Sequence, residues 1–263
     1  MTLTLRARLT WCAHLFKACA KQYHQELTPL LTGLIPPDGI VLDVGSHAGQ
    51  FAKLFARIAR HGHVHAFEPG RYALSILRRT LAFHRLANVT IHARGCSDTP
   101  GRLALSVPVK ASGSIGFGLG HIASSQPEAA GRRTLEESIE LTTVDHFAHG
   151  QRLARLDFIK ADIEGWELRM LVGAADTLRR FHPTLLLEVH AGHLARAGDT
   201  PQALFTFLAD LGYRAFRLDR AALCLQPAAA AIEGDMIFLG PDTARRVVAD
   251  GRLLCGATAT SHD

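Results

Sequence analysis

Short apolar runs that end at a glycine or an acid alternate along this chain with segments whose apolar residues recur every three to four positions. "GIVLDVG" is an apolar, β-branched run closed by glycine, and Phe51, Leu54, Phe55 and Ile58 then repeat with helical spacing, which predicts strand, turn and helix. "HVHAFEP" precedes a helix carrying Leu74, Leu77 and Leu81, and "NVTIHARG" reads as a third strand. "LDFIKADIEG" leads into a helix with Leu168, Leu171, Val172 and Ala175, and "TLLLEVH" into one with Leu204, Phe207, Leu208 and Leu211. Strands separated by such helices make a mostly parallel sheet covered on both faces. "GYRAFRL" and "DMIFLGP" close the chain with no helix between them, predicting an antiparallel pair at one edge. The expectation is an α/β fold with a doubly wound, seven-stranded, mostly parallel sheet and one antiparallel edge strand.

The rest of the chain frames this unit. Residues 1–36 read as an N-terminal helical extension, in which Leu5, Leu9, Phe16, Tyr23 and Leu27 outline one face of a basic amphipathic helix. That face is expected to dock on the domain or on a second subunit, as in a homodimer; the alternative is weak contact with a membrane surface. Residues 37–242 form the main domain. They include two alternating runs, "RLALSV" and "SIELTTV", around the Gly/Ser-rich insertion 110–130, and a loop of that length is functional or disordered. Residues 243–263 have few periodic apolar positions and are expected to form a flexible tail.

Composition adds exclusions. With 263 residues, 48% of them hydrophobic, one sizeable core is affordable. The net charge of +5 is spread along the chain and does not by itself indicate a nucleic-acid partner. Five cysteines, none in a CxxC pair, suggest neither a disulfide framework nor a zinc ribbon, so a reducing cytoplasm is expected. No run is long and uncharged enough to predict a transmembrane segment.

The candidate chemistry lies at the strand ends, where open parallel sheets bind ligands. "VLDVGSHAGQFA" holds Asp43, Gly45 and Gly49 in the spacing D-x-G-x-x-x-G. Without the middle glycine of G-x-G-x-x-G the loop disfavours a dinucleotide, so an NAD(P)-dependent oxidoreductase is the weaker alternative. The loop instead suits a smaller zwitterionic group, and Glu68, ending the second strand, is placed to accept two ribose hydroxyls. These pieces, followed by "NVTIHARGCSD", "TTVDHF", "DFIKADIEGWELRMLVGA" and "HPTLLLEVH", resemble the FkbM family of class I S-adenosylmethionine-dependent methyltransferases.

The resemblance implies a Rossmann-like fold and S-adenosyl-L-methionine as cofactor. It places Asp43, Gly45, Ser46, His47, Gly49 and Gln50 at the amino-acid part of the cofactor, Glu68 at the ribose, and Ser97 and Asp98 near the adenine. It implies O-methylation of a hydroxyl on a sugar, polyketide or related secondary metabolite, hence a small-molecule or glycan acceptor. The chain departs from the family's usual residues at His47 and Cys96.

In "IKADIEGWE", strand alternation turns Lys160 and Asp162 to one side, and a lysine inside a doubly covered sheet needs a partner. Glu188 on the neighbouring strand is the expected one. Lys160, Asp162, Glu188 and His190 are then the catalytic candidates, Asp162 orienting acceptor or cofactor and Glu188 or His190 serving as base. For Glu188 and Lys160 a structural ion pair is the competing reading, and for His190 a helix cap. Glu164 reads as a carboxylate that shapes the loop beside the acceptor, and Glu167 as an ordinary first-turn residue. Ser114 and His121 of the insertion are substrate-binding candidates. A divalent metal on Asp162, Glu164, Glu188 and His190 is not favoured, because no adjacent D-N or D-D pair follows the fifth strand, and no metal ligand is assigned. A non-catalytic scaffold that binds the cofactor is the remaining alternative.

Overall fold

The computed structural model describes residues 5–109, 121–122 and 133–255, with side chains over 7–105 and 136–255. Helix α1 (Leu5–Ala20) and α2 (Thr28–Leu34) precede β1 (Ile40–Val44), α3 (Gln50–Ile58), β2 (His63–Phe67), α4 (Arg71–Phe83) and β3 (Val89–His92). Then come β4 (Gly95–Cys96), β5 (Gly101–Val109), β6 (His121–Ile122), β7 (Arg133–Thr142) and α5 (Val144–Gly150). The second half runs β8 (Phe158–Ala161), α6 (Glu167–Val172), α7 (Ala175–Phe181), β9 (Thr184–Val189), α8 (Ala191–Leu194) and α9 (Pro201–Asp210). It ends with β10 (Arg214–Asp219), β11 (Cys224–Pro227), β12 (Gly234–Leu239) and α10 (Pro241–Asp250).

The main sheet is the expected doubly wound α/β layer, with order β11-β10-β12-β9-β8-β1-β2-β3. Five neighbouring strands, β9 to β3 in that order, are parallel, and alternate residues of the inner ones feed two cores. Leu42, Ile159 and Leu187 face α5, α6, α7 and α9, whereas Val41, Phe158 and Leu186 face α2, α3 and α10. Burial on both faces is why the inner strands β1, β8 and β9 are mostly apolar rather than strictly alternating. Leu27, Leu30, Leu31 and Leu34 are buried in the second core, so the C-terminal part of the expected extension packs with the domain.

Three features differ from the sequence expectation. The sheet has eight strands, because β11 pairs with β10, and the antiparallel β12 is inserted between β9 and β10 rather than lying at the edge. Chain order alone does not reveal such an insertion. The runs "RLALSV" and "SIELTTV" pair antiparallel as β5 and β7 and build a second, four-stranded sheet with β4 and β6. Finally, part of the expected tail is built in: α10 packs on the core through Ala244 and Val247, and Cys255 forms a disulfide with Cys224 on β11. The absence of a CxxC pair gave no sign of this bond, whose cysteines lie 31 residues apart.

Candidate active site

Strand order reverses its direction of growth between β1 and β8, and the loops leaving their carboxyl ends diverge to open a crevice. A cavity of about 320 Å³ lies there, within the ligand-pocket range of about 300–1,000 Å³. Its floor is the loop after β1. Gly45 has φ +76°, and a Cβ on it would stand 2.1 Å from the Asp162 carbonyl oxygen, so only glycine lets the two strand-end loops approach this closely. Ser46, His47 and Gln50 also line the cavity. Gly49 (φ +85°) is turned the other way, where a Cβ would meet Leu77 of α4.

Glu68 forms one wall. Its two carboxylate oxygens accept the backbone N–H groups of His47 and Gly70, each at 2.8 Å. Burial pushes this carboxyl up to about 7, against the lowering effect of those two N–H donors. Beside it burial holds the His47 imidazole down at about 4, with the Lys160 charge acting the same way. Tyr72 and Cys96 continue the wall, and Leu105, Ile139 and Leu141 of the second sheet supply an apolar side.

A second, polar cavity of about 330 Å³ adjoins the first. His24, Phe51, Lys160 and Asp162 line both, while Glu188, Arg220 and Asp235 line only the second. The His24 ring stacks on Phe51 with centroids 4.4 Å apart, and Arg220 is held by Asp235 and by His24 Nδ1. Burial pushes the Glu188 carboxyl up to about 7, helped by the charge of Asp162 and a hydrogen bond between the two carboxyl groups. A like charge beside Glu188 disfavours its ionised form and so helps it keep a proton.

Lys160 is buried, and its partner is not the expected Glu188. Register places Asp43 and Leu186 on either side of it, and Nζ lies 3.7 Å from Asp43 Oδ1, 3.7 Å from Asp162 Oδ2 and 3.1 Å from the Gly45 carbonyl oxygen it donates to. Asp43 is wholly buried beneath the loop and does not line the cavity. Burial pushes its carboxyl up and the charge of Lys160 opposes that.

Other sequence candidates fall elsewhere. His190 is the N-cap residue of α8, exposed and stacked on His193, with Nδ1 3.8 Å from Glu233, and lies outside both cavities. The strand ends at Val189, so strand alternation no longer sets its direction. Ser97 is buried, donating to Asp98 and accepting from Trp166 Nε1, while Asp98 pairs with Arg169. Neither lines the cavity; the preceding Gly95 and Cys96 do. Glu164 borders the first cavity, 3.4 Å from His193 Nδ1. The buried Glu167 helps close the loop here: its Oε1 accepts the Ile163 N–H at 2.9 Å, and burial pushes its carboxyl up to about 7. Ser114 lies outside the described residues, and His121 is described only as backbone paired with Ser106 in β6. Among the described residues no three His, Cys, Asp or Glu side chains are grouped to hold a metal ion. His24, Phe51, Tyr72, Arg220, Asp235 and the second-sheet wall carried no motif that sequence reading could use.

One family model matches most of the chain. The model described as "Methyltransferase FkbM domain" matches residues 43–215. Hexuronic acid methyltransferase AglP of Haloferax volcanii is 28% identical over 170 residues, covering 64% of this chain and 63% of that protein. AMB antimetabolite synthetase AmbE of Pseudomonas aeruginosa is 30% identical over 186 residues, 60% of this chain and 9% of that protein. The chain thus spans less than two thirds of the length of the curated relatives it matches. A solved methyltransferase FkbM from Methylobacillus flagellatus superposes with a TM-score of 0.49 at 15% identity, over 89% of this chain and 60% of that one.

Proposed function

Because this chain belongs to the FkbM family of class I S-adenosylmethionine-dependent methyltransferases, we propose that it methylates a hydroxyl group, with the first cavity holding the cofactor and the second the acceptor. The observation that carries this reading is that the two cavities meet at Lys160 and Asp162, as a donor and an acceptor site must meet for in-line transfer.

The residues present suit the cofactor. Gly45 lets the floor loop lie close against the loop after β8, and Ser46 and His47 border the same space. The Glu68 oxygens accept one N–H each and keep lone pairs for two ribose hydroxyls. Cys96, Leu141 and Ile139 offer an apolar slot for a base. When bound, S-adenosylmethionine supplies a methyl group on a positively charged sulfur that leaves as a neutral thioether.

Glu188 is the base in this reading. Held near 7 beside Asp162, it takes the hydroxyl proton as the oxygen bonds to the methyl carbon. Asp162 orients that hydroxyl, and Lys160 fixes Asp162 from below. Five charged side chains and His24 among the nine lining residues of the second cavity favour a polar, polyhydroxylated acceptor such as a sugar over an apolar polyketide face. The domain reading follows: residues from about 27 onward form the catalytic unit, with α1 outside it.

Isothermal titration with S-adenosylhomocysteine tests the first cavity, and transfer of labelled methyl to a panel of sugars and glycans tests the second. Binding without any O-methylated product leaves only the scaffold reading, and no binding removes both.

A further inference from the structure

Helix α1 lies on the outside of the domain and is apolar on two sides. Trp11, Leu15 and the buried Ala18 pack against Ile76 and Tyr72. Leu9 and Phe16, expected from sequence to mark the docked face, are 64% and 74% exposed, with Cys12 and Ala13 exposed between them. Phe83, ending α4, is 68% exposed, and the neighbouring His84 hydrogen-bonds through Nε2 to the Cys19 carbonyl at 3.0 Å, so α4 ends against the end of α1.

The two helices that build this surface are basic and contain no acid. Residues 1–25 contain no Asp or Glu but carry Arg6, Arg8, Lys17 and Lys21, and residues 69–97 contain none but carry five arginines. Arg8, Lys17, Lys21, Arg78 and Arg85 are exposed, and among the described residues no carboxylate lies within ion-pair distance of them.

We propose that α1 and the adjoining end of α4 dock on an anionic membrane surface. Exposed Leu and Phe flanked by cations suit the boundary between lipid headgroups and acyl chains, and each cation adds attraction to an anionic leaflet. A second copy of the chain meets this requirement poorly, since a two-fold contact would press the same basic, acid-free helices against each other. A nucleic acid would engage the cations but leave Leu9, Phe16 and Phe83 in water. No described helix is long and apolar enough to cross the bilayer, so the contact is peripheral. His14 reaches the Tyr72 hydroxyl at 2.9 Å, and Tyr72 lines the first cavity, so docking brings the crevice close to the membrane.

The test is co-sedimentation of the full chain with vesicles of phosphatidylcholine mixed with phosphatidylglycerol, against phosphatidylcholine alone. Binding is expected only with the anionic lipid and is expected to be largely lost at about 0.5 M NaCl. Lys17→Gln with Arg78→Gln should weaken partitioning about thirtyfold, and Leu9→Ser with Phe16→Ser by about tenfold or more, with melting curves unchanged because these side chains are exposed. Absence of binding, equal binding to neutral vesicles, or wild-type partitioning of both variants overturns the proposal. So does a dimer in sedimentation velocity that the Leu9→Ser, Phe16→Ser variant converts to monomer, which would assign the face to a second copy.

Discussion

Lys160→Met separates the structural role of the buried ammonium from the chemistry around it. Methionine keeps an aliphatic stem in the space between Leu186 and Phe51 but leaves Asp43, fully buried, without the one cation beside it. At 3.7 Å and an effective dielectric of about 20, the lost attraction is roughly 4 kcal/mol, in line with the 3–5 kcal/mol typical of breaking a buried pair from one side. The contact with Asp162 adds little, because that carboxylate is 45% exposed and screened. In a chain of this size the loss corresponds to a melting temperature lower by about 6–15 °C at pH 8. The pH dependence has a definite sign. Burial already raises the Asp43 carboxyl, and removing Lys160 raises it further, so the stability contribution is retained in acid, where Asp43 is protonated in both states, and lost as pH rises. The gap between variant and wild type therefore widens from pH 5 to pH 8. Asp43→Asn added to Lys160→Met removes the stranded charge and should recover more than half of the loss. Differential scanning calorimetry of the four proteins measures this cycle. A shift under about 2 °C at pH 8, a gap that does not depend on pH, or a double variant less stable than the single one would refute the argument.

Gly45→Ala should abolish S-adenosylhomocysteine binding in calorimetry, since the added methyl strikes the Asp162 carbonyl at 2.1 Å on a backbone with positive φ. The Glu68 carboxyl, held at about 7 before ligand binds, must ionise to accept ribose hydroxyls; affinity should rise from pH 6 to pH 8 with proton release, and Glu68→Gln should flatten that rise. Because its folded-state value is raised, the ligand-free chain is favoured in acid, and this contribution falls as pH climbs through about 7. Glu188→Gln should lower kcat by about 10²-fold or more with little change in cofactor affinity, and the wild-type kcat/KM should climb to a plateau above pH 7; an unchanged kcat would move the base elsewhere. Reduction of the Cys224–Cys255 bond, which closes a 31-residue separation, should destabilise the chain by about 3–4 kcal/mol, read from melting curves with and without reductant.

The repeating pattern of the chain determined the α/β class, the doubly wound sheet, the glycine loop and the acid that ends β2, because strand and helix periods, turn glycines and buried apolar runs are written in neighbouring residues. It also brought Asp162 and Glu188 forward as strand-end carboxylates, though not as a pair. What touches what across the sheet was decided by register and strand order. Lys160 meets Asp43 because β1, not β9, puts a carboxylate level with it. His190 leaves the site because the chain turns at Val189. Cys96 replaces Ser97 at the cavity wall because the latter is drawn into hydrogen bonds with Asp98 and Trp166. The insertion of β12, the second-sheet wall and the Cys224–Cys255 bond likewise join residues distant in sequence. Local patterning specifies an element and its buried face, whereas pairings between elements arise only when the whole core packs.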